Sequence, residues 1–211
     1  MRALAATLAL CLALPVAAGE PLADALDALR AGRLAEGVLI YRDLAEAGDG
    51  RAQFNLGLLY LDGLGVPQSH AEALYWGWRA RLSGVAEAPA LIARLAPHAT
   101  PDLRAALAAR LMADLQPRID RGEGRAMLEL AGVWIEVAPD PDPAQAFVWQ
   151  ALAAALGVAG AAAARDATGR SLAPEARLRA EAQAKEVLAG LCAKGMRDAP
   201  ICAALPPTPA G

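Results

Sequence analysis

Residues 50–84 read GRAQFNLGLLYLDGLGVPQSHAEALYWGWRARLSG, and this stretch decides the fold. Ala52, Leu56, Gly57 and Tyr60 fall at i, i+4, i+5 and i+8, the spacing of an apolar helical face. The glycines and proline of DGLGVPQ then break the helix. After the break Ser69 and Glu72 form a capping box, serine at N-cap and glutamate at N3, each suited to a backbone N–H that a new helix leaves open. Ala73, Trp76 and Ala80 continue as a second stripe. The stretch predicts two short helices folded on each other, with small residues where the backbones approach and aromatics filling the rest.

Composition extends this reading to the whole chain. Hydrophobic residues make up 56% of the 211 but aromatics only 4%, so the apolar content is mostly Ala and Leu, strong helix formers. Glycine and proline cluster between the apolar runs as punctuation. The expectation is an all-α chain of short helices. Pro21–Gly48 already looks like half of the pattern, with Leu22, Leu26 and Leu29 on one short helix and Leu34, Val38, Tyr41 and Leu44 on the next.

The pattern returns further along the chain. Gly48, Gly50, Arg51, Ala52, Leu56 and Tyr60 correspond to Gly122, Gly124, Arg125, Ala126, Leu130 and Trp134. Past a loop one residue shorter, Ser69, Glu72, Ala73, Trp76, Ala80 and Gly84 match Asp142, Gln145, Ala146, Trp149, Ala153 and Gly157. The second N-terminus keeps the capping logic with Asp142 at N-cap, Pro143 at N1 and Gln145 at N3. The correspondence runs on, Pro101–Asp102 with Pro174–Glu175 and Arg104 with Arg177, so the period is twice a two-helix unit. The array expected over residues 21–202 has its best pairs at 48–84 and 122–157. A half-typical pair precedes them, and degenerate pairs fill 86–117 and 158–195. Residues 203–211, AALPPTPAG counted from Ala203, lack apolar periodicity and are expected to be a disordered tail.

The run AQFNLGLLYLDGLGVPQSHAEALYWGWRA resembles the Sel1-like repeat, a relative of the tetratricopeptide repeat. Ala52, Leu56, Gly57, Tyr60, Gly63, Gly65, Val66, Ala73, Trp76 and Ala80 fall on its pattern. Ser69, Glu72 and Gly77 depart from it, and Gly77, where a second aromatic stands in the pattern, is expected to loosen its helix. In the second copy Ala131 replaces the glycine, Trp134 the tyrosine and Val137 a loop glycine. The resemblance implies an α-α superhelix, a solenoid of stacked helix pairs, whose surface holds partner proteins or peptides. Its packing residues would be Ala52, Leu56, Gly57, Tyr60, Ala73, Trp76, Ala80, Leu130, Trp134 and Trp149.

The first residues carry a different signal. Arg2, an apolar run from Ala3 to Leu14, Pro15 and the small residues Val16–Ala18 have the pattern of a secretory signal peptide over residues 1–18, cleaved after Ala18. The run is shorter than the roughly 20 apolar residues of a bilayer span, so no membrane span is expected after cleavage. Leu10 before Cys11 does not suit a lipoprotein signal. Export would leave two cysteines, Cys192 and Cys202, in an oxidising compartment where their one possible disulfide would persist. Lys185 and Lys194 are the only lysines among 20 basic residues, a bias of GC-rich bacterial genomes, which places the expected destination in the bacterial periplasm. The net charge of −3 comes with no basic patch, so no nucleic-acid partner is expected.

Chemistry is sparse. His70 and His98 lack the companions of a metal site, and no metal or cofactor is expected. Ser69 beside His70 has a capping role that explains it better than nucleophilic catalysis. Asp140 and Asp142 suit a stiff turn better than a cation site. If a partner lies along the first helix of each pair, the residues left outside the packing stripe are Arg51, Asn55 and Leu58, then Arg125, Glu129 and Gly132. Arginines repeated at one position suit carboxylates of a peptide, and equally suit a solvated face. Trp78 lies off the packing stripe and is the aromatic suited to lining a groove. The leading expectation is a non-catalytic scaffold for an unidentified envelope protein or peptide. The alternatives are an enzyme of β-lactam or peptidoglycan chemistry, as cysteine-rich exported relatives suggest, and a non-catalytic cell-wall binder.

Overall fold

The computed structural model of the protein describes residues 21–196 and 199–203, over which the chain is all-α. The expected signal peptide lies outside the described residues, as does the expected tail except for Ala203, which ends a short helix. The helices are α1 (Pro21–Arg30), α2 (Leu34–Glu46), α3 (Gly50–Asp62), α4 (His70–Leu82), α5 (Ala88–Leu95), α6 (Pro101–Asp120), α7 (Gly124–Gly132), α8 (Pro143–Ala155), α9 (Ala161–Ser171), α10 (Pro174–Lys194) and α11 (Pro200–Ala203). Each of α1 to α4 packs on the next, α4 packs on α5 and α6, α6 on α7, and α8 on α7, α9 and α10. The result is a solenoid of stacked helix pairs. No helix among the described residues is long and apolar enough to cross a membrane.

Side chains at the helix starts explain where the elements begin. Asp49 accepts from the Ala52 N–H at 2.8 Å, Ser69 from Glu72 at 3.2 Å, Thr100 from Leu103 at 3.2 Å and Asp142 from Ala144 and Gln145 at 2.9 and 3.0 Å. Pro101, Pro143 and Pro174 open α6, α8 and α10, where a missing N–H costs nothing. Only one half of the expected capping box at α4 forms. The Glu72 carboxylate turns to Arg110 of α6 (2.6 and 3.3 Å), and the Ser69 N–H is satisfied by the Tyr60 carbonyl at 2.9 Å.

The core follows the repeat stripes. Ala52, Leu56, Ala73, Trp76, Ala80 and Leu130 are buried. A Cβ on Gly57 would stand 3.3 Å from the Ala73 carbonyl oxygen and 3.4 Å from the Gly77 nitrogen, so α3 and α4 meet backbone to backbone. Gly77, expected to loosen α4, is buried inside an unbroken helix with Leu91 against it. Tyr60, Trp134 and Trp149 are half-buried, and the Tyr60 hydroxyl accepts from Arg42 at 2.9 Å. In the first pair the stripe lies elsewhere than the leucines suggested. α1 buries Ala25 and Ala28, while Leu26 and Leu34 are 39% and 37% exposed. A Cβ on Gly37 would approach Leu29 to 2.6 Å, so the small residues of α1 and α2 take the contact and some leucines stand at its edge.

At the C-terminal end Met196 packs over Gly122, its side chain 3.0 Å from where a Cβ would be. Cys192 of α10 is disulfide-bonded to Cys202 of α11.

Candidate functional site

The first helix of each well-formed pair presents the same row of positions, and each row lines a cleft. On α3, Arg51 is exposed and makes no ion pair or hydrogen bond among the described residues. It lines a depression of about 210 Å³ with Phe54, Asn55, Val85 and Glu87, and a wider one with Asp49, Ser83 and Gly84. Asn55 is half-buried beside Tyr41, whose phenol is pushed up by burial against the opposing charges of Arg30 and Arg51 and the Asn55 hydrogen bond. Leu58 is half-buried against the core.

On α7 the corresponding Arg125, Leu128 and Glu129, with Gly132, line a cleft of about 280 Å³ closed by Arg81 and Leu82 of α4, Ile135, Glu136, Gln150 of α8 and Ala164 of α9. The charges here are engaged. Arg125 donates to the Ser83 carbonyl at 3.1 Å and lies 3.5 Å from Glu129. Glu129, expected among the outward residues, is only 8% exposed and accepts from Arg118 of α6 at 2.8 Å. Arg118 also bonds Glu123 at 2.8 Å; burial lowers its pKa, but the two carboxylates outweigh that and hold it above the ordinary value.

A third feature joins the two copies. Trp78 is half-buried and walls an apolar groove of about 180 Å³ with Leu74, Ile92, Leu103, Leu107 and Val137, rimmed by Arg104 and Glu136. Beside it the Tyr75 hydroxyl donates to the Asp114 carboxylate and accepts from Arg79 at 2.9 Å. Arg110 lies 3.5 Å over the Tyr75 ring. Burial first, and then Asp114, push the Tyr75 phenol up, so it stays a neutral donor.

Ser69 and His70, weighed above as a nucleophile and base, are otherwise engaged. The Ser69 hydroxyl caps α4, and the His70 ring stacks on His98 with centroids 3.9 Å apart. The reading from sequence missed this stack, the Tyr75–Asp114 bond, Arg118 beneath Glu129, and Gln150. Each joins residues dozens of positions apart or on different helices, and periodicity carries no signal for such pairs.

Comparison with known proteins adds the following. Residues 50–77 and 124–158 match the family model of the Sel1 repeat. Among solved structures, the chain is similar to a Sel1 repeat protein from Oxalobacter formigenes at 20% identity, covering 83% of this chain and 91% of that one. The TM-score of that likeness is 0.28, too low to bear on the fold. No curated protein matches the chain.

Proposed function

We propose that this member of the Sel1-like repeat family is an exported scaffold of the bacterial cell envelope, holding a partner protein along the first helices of its repeats. Sel1 repeats serve protein–protein interaction, and the coarse role follows from the repeats themselves. The observation that carries the finer reading is the repeated row. Arg51, Phe54 and Asn55 line a cleft in one repeat, and Arg125, Leu128 and Glu129 line one in the other. A partner spanning both would meet a free cation at Arg51 and, at Arg125, a cleft whose charges are already paired.

Two features support export. Residues 1–18 have the pattern of a secretory signal, and Cys192–Cys202 is a bond of the kind that persists in oxidising compartments. The protein recovered from cells without reduction should show no titratable thiol in its mature form; two would remove the disulfide argument. The scaffold itself is tested by crosslinking in intact cells and identifying what is joined to the purified protein. A defined envelope protein is the expected adduct. Recovery of no protein, together with binding to purified cell wall, would overturn the reading.

A further inference from the structure

The two copies differ most in the space between the second helix of a pair and the two helices that follow it. In the register that matches Arg104 with Arg177, the residues Leu74, Trp78, Ala96, Leu103 and Leu107 correspond to Phe147, Ala151, Gly169, Ala176 and Ala180. In the second copy this space holds the Phe147 ring, which is 2% exposed. A Cβ on Gly169 would stand 2.9 Å from that ring, so the glycine makes room for it. Ala180 packs in the same cluster, and the Arg177 guanidinium lies 6.0 Å from the ring centroid. Glu181 accepts from that arginine at 2.9 Å.

The first copy replaces each of these parts. Leucine stands for the phenylalanine, and Leu103 and Leu107 stand for two alanines, so α6 packs less closely on α4 than α10 does on α8. Trp78 stands half-buried in the gap and walls it without filling it, leaving the apolar groove of about 180 Å³. A cavity of about 150 Å³ takes one benzene ring, so there is room for one aromatic side chain. Ala108 stands where the second copy has Glu181, and Arg104 is exposed with no side-chain partner among the described residues. The other rim charge, Glu136, is already paired with Arg81 at 3.3 Å. The groove therefore lacks a ring and its arginine lacks a carboxylate.

This chain has neither a free ring nor an undescribed one to offer. Residues 1–20, 197–198 and 204–211 contain no Phe, Tyr or Trp, and every such residue among those described is buried or half-buried. We infer that the groove walled by Trp78 is a docking site for an aromatic side chain of a partner protein, with an acidic side chain of the same segment pairing with Arg104. The incoming ring takes the part that Phe147 plays in the second copy, and the incoming carboxylate the part of Glu181. The inference rests on the scaffold reading for the occupant being a protein. Glu136 lines both this groove and the cleft of α7, so a segment lying along α7 reaches it.

The test selects heptapeptides from a random displayed library on the intact protein and measures their affinities by calorimetry. The selected sequences are expected to share one aromatic and one acidic residue. Leu74→Phe combined with Ala96→Gly copies the second repeat's filling into the first, and should weaken binding about ten- to a hundredfold, the size of burying one large apolar side chain. A circular dichroism melting curve like that of the wild type separates this loss from a loss of folding. Arg104→Gln leaves the groove open and should weaken binding by up to about fivefold, the size of an exposed ion pair. Changing the peptide's acid to its amide should weaken binding equally, and the two changes together should cost no more than either alone. If the filled variant does not fold, this second comparison decides. Selected peptides with no shared aromatic would overturn the inference, as would unchanged affinity in the folded filled variant. An Arg104→Gln effect that is the same for acid and amide peptides would overturn it too, and so would a library that yields no binder. All of these results leave the scaffold reading standing, because crosslinking in cells tests that separately.

Discussion

The two matched repeats close the same turn by different means. In the first, α3 ends at Gly63 (φ 68°), and Gly65 (φ 72°) sits where a Cβ would be 2.7 Å from the Leu34 carbonyl oxygen. In the second, α7 runs on into a π turn, Val133–Val137, and no left-handed glycine follows before α8. Yet the N–H of the next N-cap bonds an aromatic residue's carbonyl in both, Ser69 to Tyr60 at 2.9 Å and Asp142 to Trp134 at 3.0 Å. The far end shows the same substitution of means. Gly50 lies against Ser83 and Val85, Gly124 against Leu156 and Val158. Above that contact the first repeat uses the polar Gln53–Ser83 bond, while Met127 and Leu156 stand at the matching positions. The backbone path of the unit is held more closely than the chemistry that enforces it.

Removing each device should expose the difference. The largest effect is expected from Gly65→Ala, which combines left-handed backbone strain with a collision against the preceding pair. A loss of about 3 kcal/mol is expected in urea unfolding followed by circular dichroism. Ala138→Gly, in the second loop, has extended backbone (φ −52°, ψ 138°) and should cost only about 1 kcal/mol. If both cost the same, the loops do not close by different means.

The polar and apolar bridges give the next pair. Gln53→Leu leaves the Ser83 hydroxyl without its acceptor, while the Ala45 carbonyl keeps the Gly48 N–H, and should cost about 2 kcal/mol. Met127→Gln buries an amide opposite Leu156 and should cost about as much. Adding Leu156→Ser to it should recover part of the loss, because the first repeat's bond can then form. No recovery would mean that the two ends are not equivalent.

The smallest effect concerns the N-caps. Asp49 caps α3 directly, whereas Glu123 makes no cap bond and pairs with Arg118 and Arg121. The Arg118 hydrogen bond, the largest cause, holds the Glu123 carboxyl below the ordinary glutamate range; burial opposes it, and Arg121 adds to the lowering. A folded-state pKa that is depressed contributes stability above the unfolded pKa, and the contribution is lost as pH falls through the folded one. Glu123 is more than a third exposed, so the contribution is under about 1 kcal/mol. The stability gap between the wild type and Glu123→Gln should be present at neutral pH and vanish in strong acid. A gap that widened in acid would contradict this reading of the pair.

Sequence periodicity carried the reading a long way where the packing residues are near neighbours. Ala52, Leu56, Ala73 and Ala80 lie within one helical hairpin, and their stripe is visible without knowing what else they touch. The π turn was not visible. VAPDPD reads as a loop shortened by one residue, and nothing local says that the missing turn is recovered by widening the end of α7. The candidate site divides the same way. Arg51 and Arg125 were legible as repeated positions, but that Arg125 is paired depends on Glu129, and the burial of Glu129 on Arg118 of a different unit.

The account turns on the first-helix row being the surface that meets a partner. The most direct measurement replaces Arg51, Arg125 and, as a distant control, the 66% exposed Leu178 one at a time with a photo-crosslinking amino acid in living cells. The account predicts the same protein adduct at 51 and 125 and none at 178. An adduct at 178 alone, or different proteins at 51 and 125, would contradict it.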